Sequence, residues 1–216
     1  MWSRLSLRPW AAAVVFAAAV LGVSQLGQAA YIYFKAGFAQ VLLQGAFTRS
    51  QQLQGEPVKP WPWADTWPVA RLLVPSLDVD LLVLSGASGH ALAFGPGHEI
   101  ASARLLQPGV SVVGGHRDTH FSFLSQLHDG AHILLQLSDG RQQAYRVDSA
   151  RVVDSRQEHI HPEIGRGSDT LLLVTCYPFD ALRAGGPLRY AVTATALSAE
   201  RSDSLLPTRP PGVYAL

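Results

Sequence analysis

The sequence predicts an all-β domain, a closed or nearly closed barrel, behind one membrane-spanning helix. Three observations carry that expectation. Seven runs of five to twelve residues, VARLLV, VDLLVL, VSVVG, HILLQL, QQAYRVDSARVV, DTLLLVT and LRYAVTATAL, are rich in Val, Leu, Tyr and Thr. Turn residues separate them, among them Pro75-Ser76, Gly95-Pro96-Gly97, Ser138-Asp139-Gly140 and Gly185-Gly186-Pro187. Helical patterning is scarce after Val69, with GHALAFG and HFSFLSQL as the two candidates for short helices. Many short strands with few helices define a sheet that closes on itself.

In chain order, Trp10 to Phe34 contains no charged residue, and Arg4 and Arg8 precede it. At about 1.5 Å per residue, such a helix crosses a hydrocarbon core of roughly 30 Å. The arginines place the N-terminus in the cytoplasm and the remainder outside, with Tyr31 and Tyr33 suited to the far interface. A cleaved signal peptide is the rival reading, and Ala29-Ala30 is a poor cleavage site for it because Gln28 stands where a small residue is wanted. Residues 1–34 are therefore expected to be the cytoplasmic N-terminus and the anchor.

Residues 35–68 are expected to form a linker. Lys35 to Leu53 has Phe38, Val41, Leu42 and Ala46 at helical spacing and is expected to continue as an exposed helix, its packing partner not visible from sequence, whereas GEPVKPWPWADTWP is too rich in proline to do so. Trp61, Trp63 and Trp67 in that stretch suit local packing of an extended segment. The barrel occupies residues 69–197. Within it, Asp139-Gly140 between two alternating runs reads as a hairpin turn, and Asp154 to Ser168 is a long polar loop. Residues 198–216, with Pro207, Pro210 and Pro211, show no core-forming pattern and read as a loose tail.

Composition excludes some functions. A formal net charge of +1 and scattered arginines give no basic stripe, so no nucleic-acid partner is expected. The chain has one cysteine, Cys176, which cannot form an intramolecular disulfide and is either a buried spectator or a thiol kept for chemistry.

Cys176 falls at the end of the LLLVT run, where Tyr177-Pro178 stops the strand and a rigid element presents a nucleophile. An ordinary thiol is only a few per cent thiolate at neutral pH, so a partner is needed. His116 follows VSVVGG, whose glycines allow close backbone approach, and an imidazole exchanges protons near neutrality. Arg189 alternates with Leu188, Tyr190, Val192 and Ala194, which would face the core. Its guanidinium can donate to an oxyanion but cannot act as a base. Thr175 and Tyr177 flank the cysteine and are the candidates for substrate contact. His116 and His120 are four apart, a metal-binding spacing on a helix, but Gly114 and Gly115 argue against a helix there. No metal and no cofactor are expected.

LLLVTCYPF closely resembles the TLxTC motif of sortases, the membrane-anchored cysteine transpeptidases, with Thr175 and Cys176 matching. VVGGHRDTHFSFLSQL resembles the sortase segment around the catalytic histidine, and LRYAV resembles the strand carrying the catalytic arginine. The resemblance covers Val69 to Leu197, and CYPF with GHRDTHF looks most like the class GN sortases of Gram-negative proteobacteria. It implies an eight-stranded sortase barrel anchored in the inner membrane and facing the periplasm. The implied substrate is a secreted protein with an LPXTG-like C-terminal signal, cut between Thr and Gly and passed to an amine. It further implies Cys176 as nucleophile, His116 as general acid and base, and Arg189 as oxyanion or substrate stabiliser, with Arg183 as a lesser alternative to Arg189. Leu206-Pro207-Thr208-Arg209 lacks the residues of a sorting signal. The rival readings are another exported Cys/His transpeptidase acting on peptidoglycan, and a non-enzymatic membrane-tethered barrel with a structural cysteine.

Overall fold

The computed structural model describes residues 9–157, 168–181 and 185–198. Arg4, Arg8, Arg183, residues 158–167 of the polar loop and the tail beyond Ser198 lie outside the described residues.

The first element is a single helix, α1, Pro9–Gln52. It is the one helix among the described residues long and apolar enough to cross a membrane, and Phe16, Leu21, Leu26 and Phe34 along it are exposed. The chain divides into two compact units between Val41 and Leu42, so the last turns of α1 belong with the barrel. The physical reason is visible in their side chains: Leu43 and Phe47 are buried against Leu82 and Leu84, with Phe94 packed beside them. Burying two such side chains contributes about 1.5–3 kcal/mol each. The proline-rich stretch that follows is irregular, as its composition requires, and Trp61 meets the Phe94 ring edge-on at 5.2 Å while Trp63 stays exposed.

The strands are β1 (Pro68–Val74), β2 (Val79–Ser85), β3 (Gly97–His98), β4 (Gly109–Gly114), β5 (His132–Leu137), β6 (Gln142–Asp154), β7 (Asp169–Cys176) and β8 (Leu188–Ala196). They close into a barrel in the order β1-β2-β3-β4-β7-β8-β6-β5, with β5 pairing back to β1. Closure gives each strand a neighbour on both sides. A short helix α2, Gly89–Leu92, and a 3-10 turn over Ser122–Gln126 fall where helical pieces are expected. The hairpin at Asp139-Gly140 joins β5 to β6, with Gly140 at φ +91° and the Asp139 carboxylate accepting from the Arg141 N–H at 2.9 Å.

Seven strands coincide with the seven runs; β3 does not. It lies partly within the Gly95-Pro96-Gly97 break and is only two residues long, too short for any alternation to register. Gly97 is required there because a Cβ would sit 2.2 Å from the Gly86 carbonyl oxygen, on the chain just past β2.

Alternation sorts the barrel's two faces. Ala70, Leu72, Val74, Val113, Ile133, Leu135, Tyr145, Val147, Leu171, Leu173, Val192 and Ala194 point inward and form one buried cluster. Phe121, Phe123, Leu124 and Leu127, from the segment after His116, join that cluster. The outer face of β4, β7, β8 and β6 carries a second cluster, with Val153, Leu172 and Ala191 buried and Val110, Val112 and Val174 packed on them. This double burial accounts for the unbroken LLLV run in β7.

The start of β7 holds a buried polar pair. The Tyr145 hydroxyl donates to Asp169 Oδ2 at 2.8 Å, and Asp169 Oδ1 has no partner among the described residues. Burial pushes the Asp169 carboxyl up from its usual range. A carboxyl whose folded pKa exceeds its unfolded value contributes stability below the ordinary value near 3.9 and loses it as pH rises through the folded value. The stability of Asp169→Asn relative to wild type is therefore expected to grow as pH rises from about 4 to about 7. Urea denaturation over that range checks it, and a difference that does not change with pH would contradict it.

Candidate active site

The site is built by strand register. β4 and β7 are parallel neighbours, pairing Gly109 with Asp169 through to Gly114 with Val174. The Gly115 N–H donates to the Val174 carbonyl at 3.1 Å, and the Thr175 hydroxyl donates to the Gly115 carbonyl at 2.7 Å. These bonds carry the same offset past the end of β4, which sets His116 beside Cys176. On the other side, antiparallel β8 pairs Arg189 with Cys176. The Tyr177 N–H donates to the Leu188 carbonyl at 3.1 Å, so Cys176 and Arg189 form the adjacent pair without reciprocal bonds. Such pairs bring Cα atoms to about 4.5 Å and their side chains closest together. His116, Cys176 and Arg189 thus belong to three neighbouring strand ends, at one end of the outer-face apolar cluster.

Each expected site residue has a definite setting. Cys176 is half-buried and free of any disulfide. His116 is exposed, and its carbonyl accepts from the Phe121 N–H at 3.0 Å, which folds the following segment back under it. Arg189 is half-buried, and its Nη1 donates to the carbonyls of Gly186 at 2.6 Å and Leu188 at 2.9 Å. Thr175 is buried, at 2% exposure, and its hydroxyl is committed to the neighbouring strand. Tyr177 is half-buried and stacks on Tyr190 at 6.2 Å, with Phe179 edge-on to both rings. The Tyr177-Pro178 peptide is cis. His120, next to Thr119, has its pKa lowered by burial and by the charge of His116.

Sequence reasoning passed over Arg117. Its side chain is 7% exposed and makes four hydrogen bonds, two to Asp118 and one each to the Pro178 and Ala181 carbonyls just beyond Cys176. The only signal was an Arg-Asp pair directly after His116, and nothing in its spacing marks a buried guanidinium.

A half-buried thiol flanked by an imidazole and a guanidinium has the composition of a thiol acyl-transfer site. Comparisons with known proteins agree on the family. A family model for the sortase domain matches residues 72–197, more than half of the chain. Sortase D of Bacillus subtilis (strain 168) is 31% identical over 121 residues, covering 56% of this chain and 60% of the relative. Among solved structures, sortase C-1 of Actinomyces oris is similar at 28% identity and TM-score 0.52, over 61% of this chain and 75% of that one. A lid mutant of Corynebacterium diphtheriae sortase A shares the fold at 21% identity and TM-score 0.58, over 79% and 96%. The chain belongs to the sortase family.

Proposed function

We propose that the protein is a membrane-anchored cysteine transpeptidase of the Gram-negative sortase type, held in the inner membrane by α1 with its barrel in the periplasm. Its substrate is a secreted protein bearing an LPXTG-like C-terminal signal. The observation that carries this reading is the register that places His116, Cys176 and Arg189 on adjacent strand ends. The GHRDTHF and CYPF segments support the subtype, and α1 supports the anchor.

In the proposed reaction, Cys176 gives its S–H proton to His116 and its Sγ attacks the threonine carbonyl carbon, forming a C–S bond. The developing oxyanion takes hydrogen bonds from the Arg189 guanidinium. His116 donates a proton to the glycine nitrogen as the C–N bond breaks, which leaves a thioester on Cys176. An incoming amine then loses its proton to His116 and attacks the thioester, the C–S bond breaks, and His116 returns the proton to the departing sulfur. Val110, Val112 and Val174, half-buried over Leu172 and Ala191, offer the apolar residues of the signal a surface leading to Cys176. Tyr177 lies at the cysteine's other side as a contact for the substrate, and Thr175 holds the strand ends in place.

Mass spectrometry of the full chain in detergent with an LPXTG-type peptide tests this. The expected result is a covalent acyl adduct on the wild type, absent from Cys176→Ala, and released by an added amine as a peptide cut after Thr. A folded protein with a freely alkylated thiol but no adduct would overturn the assigned signal.

A further inference from the structure

Parallel strands β4 and β7 are joined by no short connection, so their ends need a tie of their own if His116 is to stay beside Cys176. Thr175 supplies one such tie at the strand. Arg117 supplies another beyond it. Its Nη1 donates to the Pro178 carbonyl at 2.5 Å and its Nη2 to the Ala181 carbonyl at 2.9 Å, residues 61 and 64 positions further along the chain. Its Nε and Nη2 are meanwhile gripped by the two oxygens of Asp118 at 2.6 and 3.1 Å. The guanidinium is thus oriented from one side by an exposed carboxylate and spans to the loop leaving Cys176 on the other.

We propose that Arg117 is a positioning residue, a clasp that holds the segment after Cys176 against the His116 turn and so keeps the imidazole and the thiol in working register. The inference rests on the transpeptidase reading of Cys176 and His116. The planar fork matters, because four directed bonds from one buried group are beyond the reach of a lysine ammonium. The neighbourhood is charged on several sides. Asp118, Asp180 and Cys176 stand around Arg117, and His116 and Arg189 stand at the thiol. Hydrogen bonding to Asp118 raises the Arg117 pKa, so the clasp stays cationic throughout the working range.

The role is one of geometry between two other residues, so a double-mutant cycle on the thiol itself tests it without any peptide. The rate of Cys176 alkylation by iodoacetamide is followed against pH, with and without His116→Ala, in wild type, Arg117→Lys and Asp118→Asn. His116→Ala is expected to change the wild-type rate about tenfold near neutral pH and to change it much less in either variant. With LPXTG-type peptide, Arg117→Lys is expected to lower kcat about 10- to 100-fold while KM moves less than about threefold.

Asp118 is 67% exposed, so Asp118→Asn keeps the fold even if Arg117→Lys does not, and it then decides the outcome. Full His116 dependence retained in every folded variant overturns the proposal, as does a wild-type thiol indifferent to His116. A wild type that alkylates as expected but forms no adduct with the peptide counts against the transpeptidase reading, while the cycle still scores Arg117.

Discussion

Cys176→Ala is expected to reduce peptide cleavage at least about 1000-fold, with the barrel intact. The substitution removes a single sulfur from a half-buried strand end, where it forms no disulfide. His116→Ala is expected to lose a comparable factor, because the departing amine then lacks a proton donor. Its side chain is exposed, so stability is little changed. Arg189→Lys keeps the charge but loses the fork, and about 10- to 100-fold in kcat is expected. Groups that act as a unit are not additive, so Cys176→Ala combined with His116→Ala should be no slower than Cys176→Ala alone. Single-turnover amine release with circular dichroism on each variant measures all four. Substantial cleavage by Cys176→Ala would remove it from the nucleophile's role.

Gly115→Ala is expected to damage fold and activity together. The new Cβ would lie 2.7 Å from Phe121 Cγ and within 3.0 Å of two further ring atoms. Phe121 is fully buried and meets Phe123 edge-on at 5.8 Å, so the ring cannot turn aside without opening the core. Overpacking of this kind costs about 1–3 kcal/mol. If the ring holds, the end of β4 must retreat instead and take His116 with it, and a displacement of about 1 Å at a reacting group costs about 100-fold. Gly114→Ala is the stability control, since its Cβ would meet only the Ala87 side chain at 4.0 Å. Urea denaturation separates the two. Equal stability for both variants, with full turnover by Gly115→Ala, would show that the contact yields more easily than the packing implies.

Seven strands, the hairpin at Asp139-Gly140 and both short helical pieces were legible because each has a local cause in alternation, turn chemistry or spacing. The short β3 was not, because its place depends on how closely Gly97 can approach Gly86 from another part of the chain. The last turns of α1 read as an exposed helix, yet one face of them is buried. Leu43 and Phe47 show helical spacing, but only the folded barrel supplies Leu82 and Leu84 to cover them. Cys176, His116 and Arg189 could be nominated from residue type and motif, whereas Arg117 could not, since a guanidinium reads as a solvated surface group until its four hydrogen bonds are seen.

By itself the sequence determined the apolar N-terminal helix, the all-β domain and the residue types of a thiol acyl-transfer site, all of which follow from local pattern. The tertiary structure decided the rest: closure through β5 and β1, the offset that sets His116 beside Cys176, and the clasp from Arg117 to Pro178 and Ala181. Those depend on contacts between residues about sixty positions apart, and no periodicity within a strand encodes which distant strand will lie next to it.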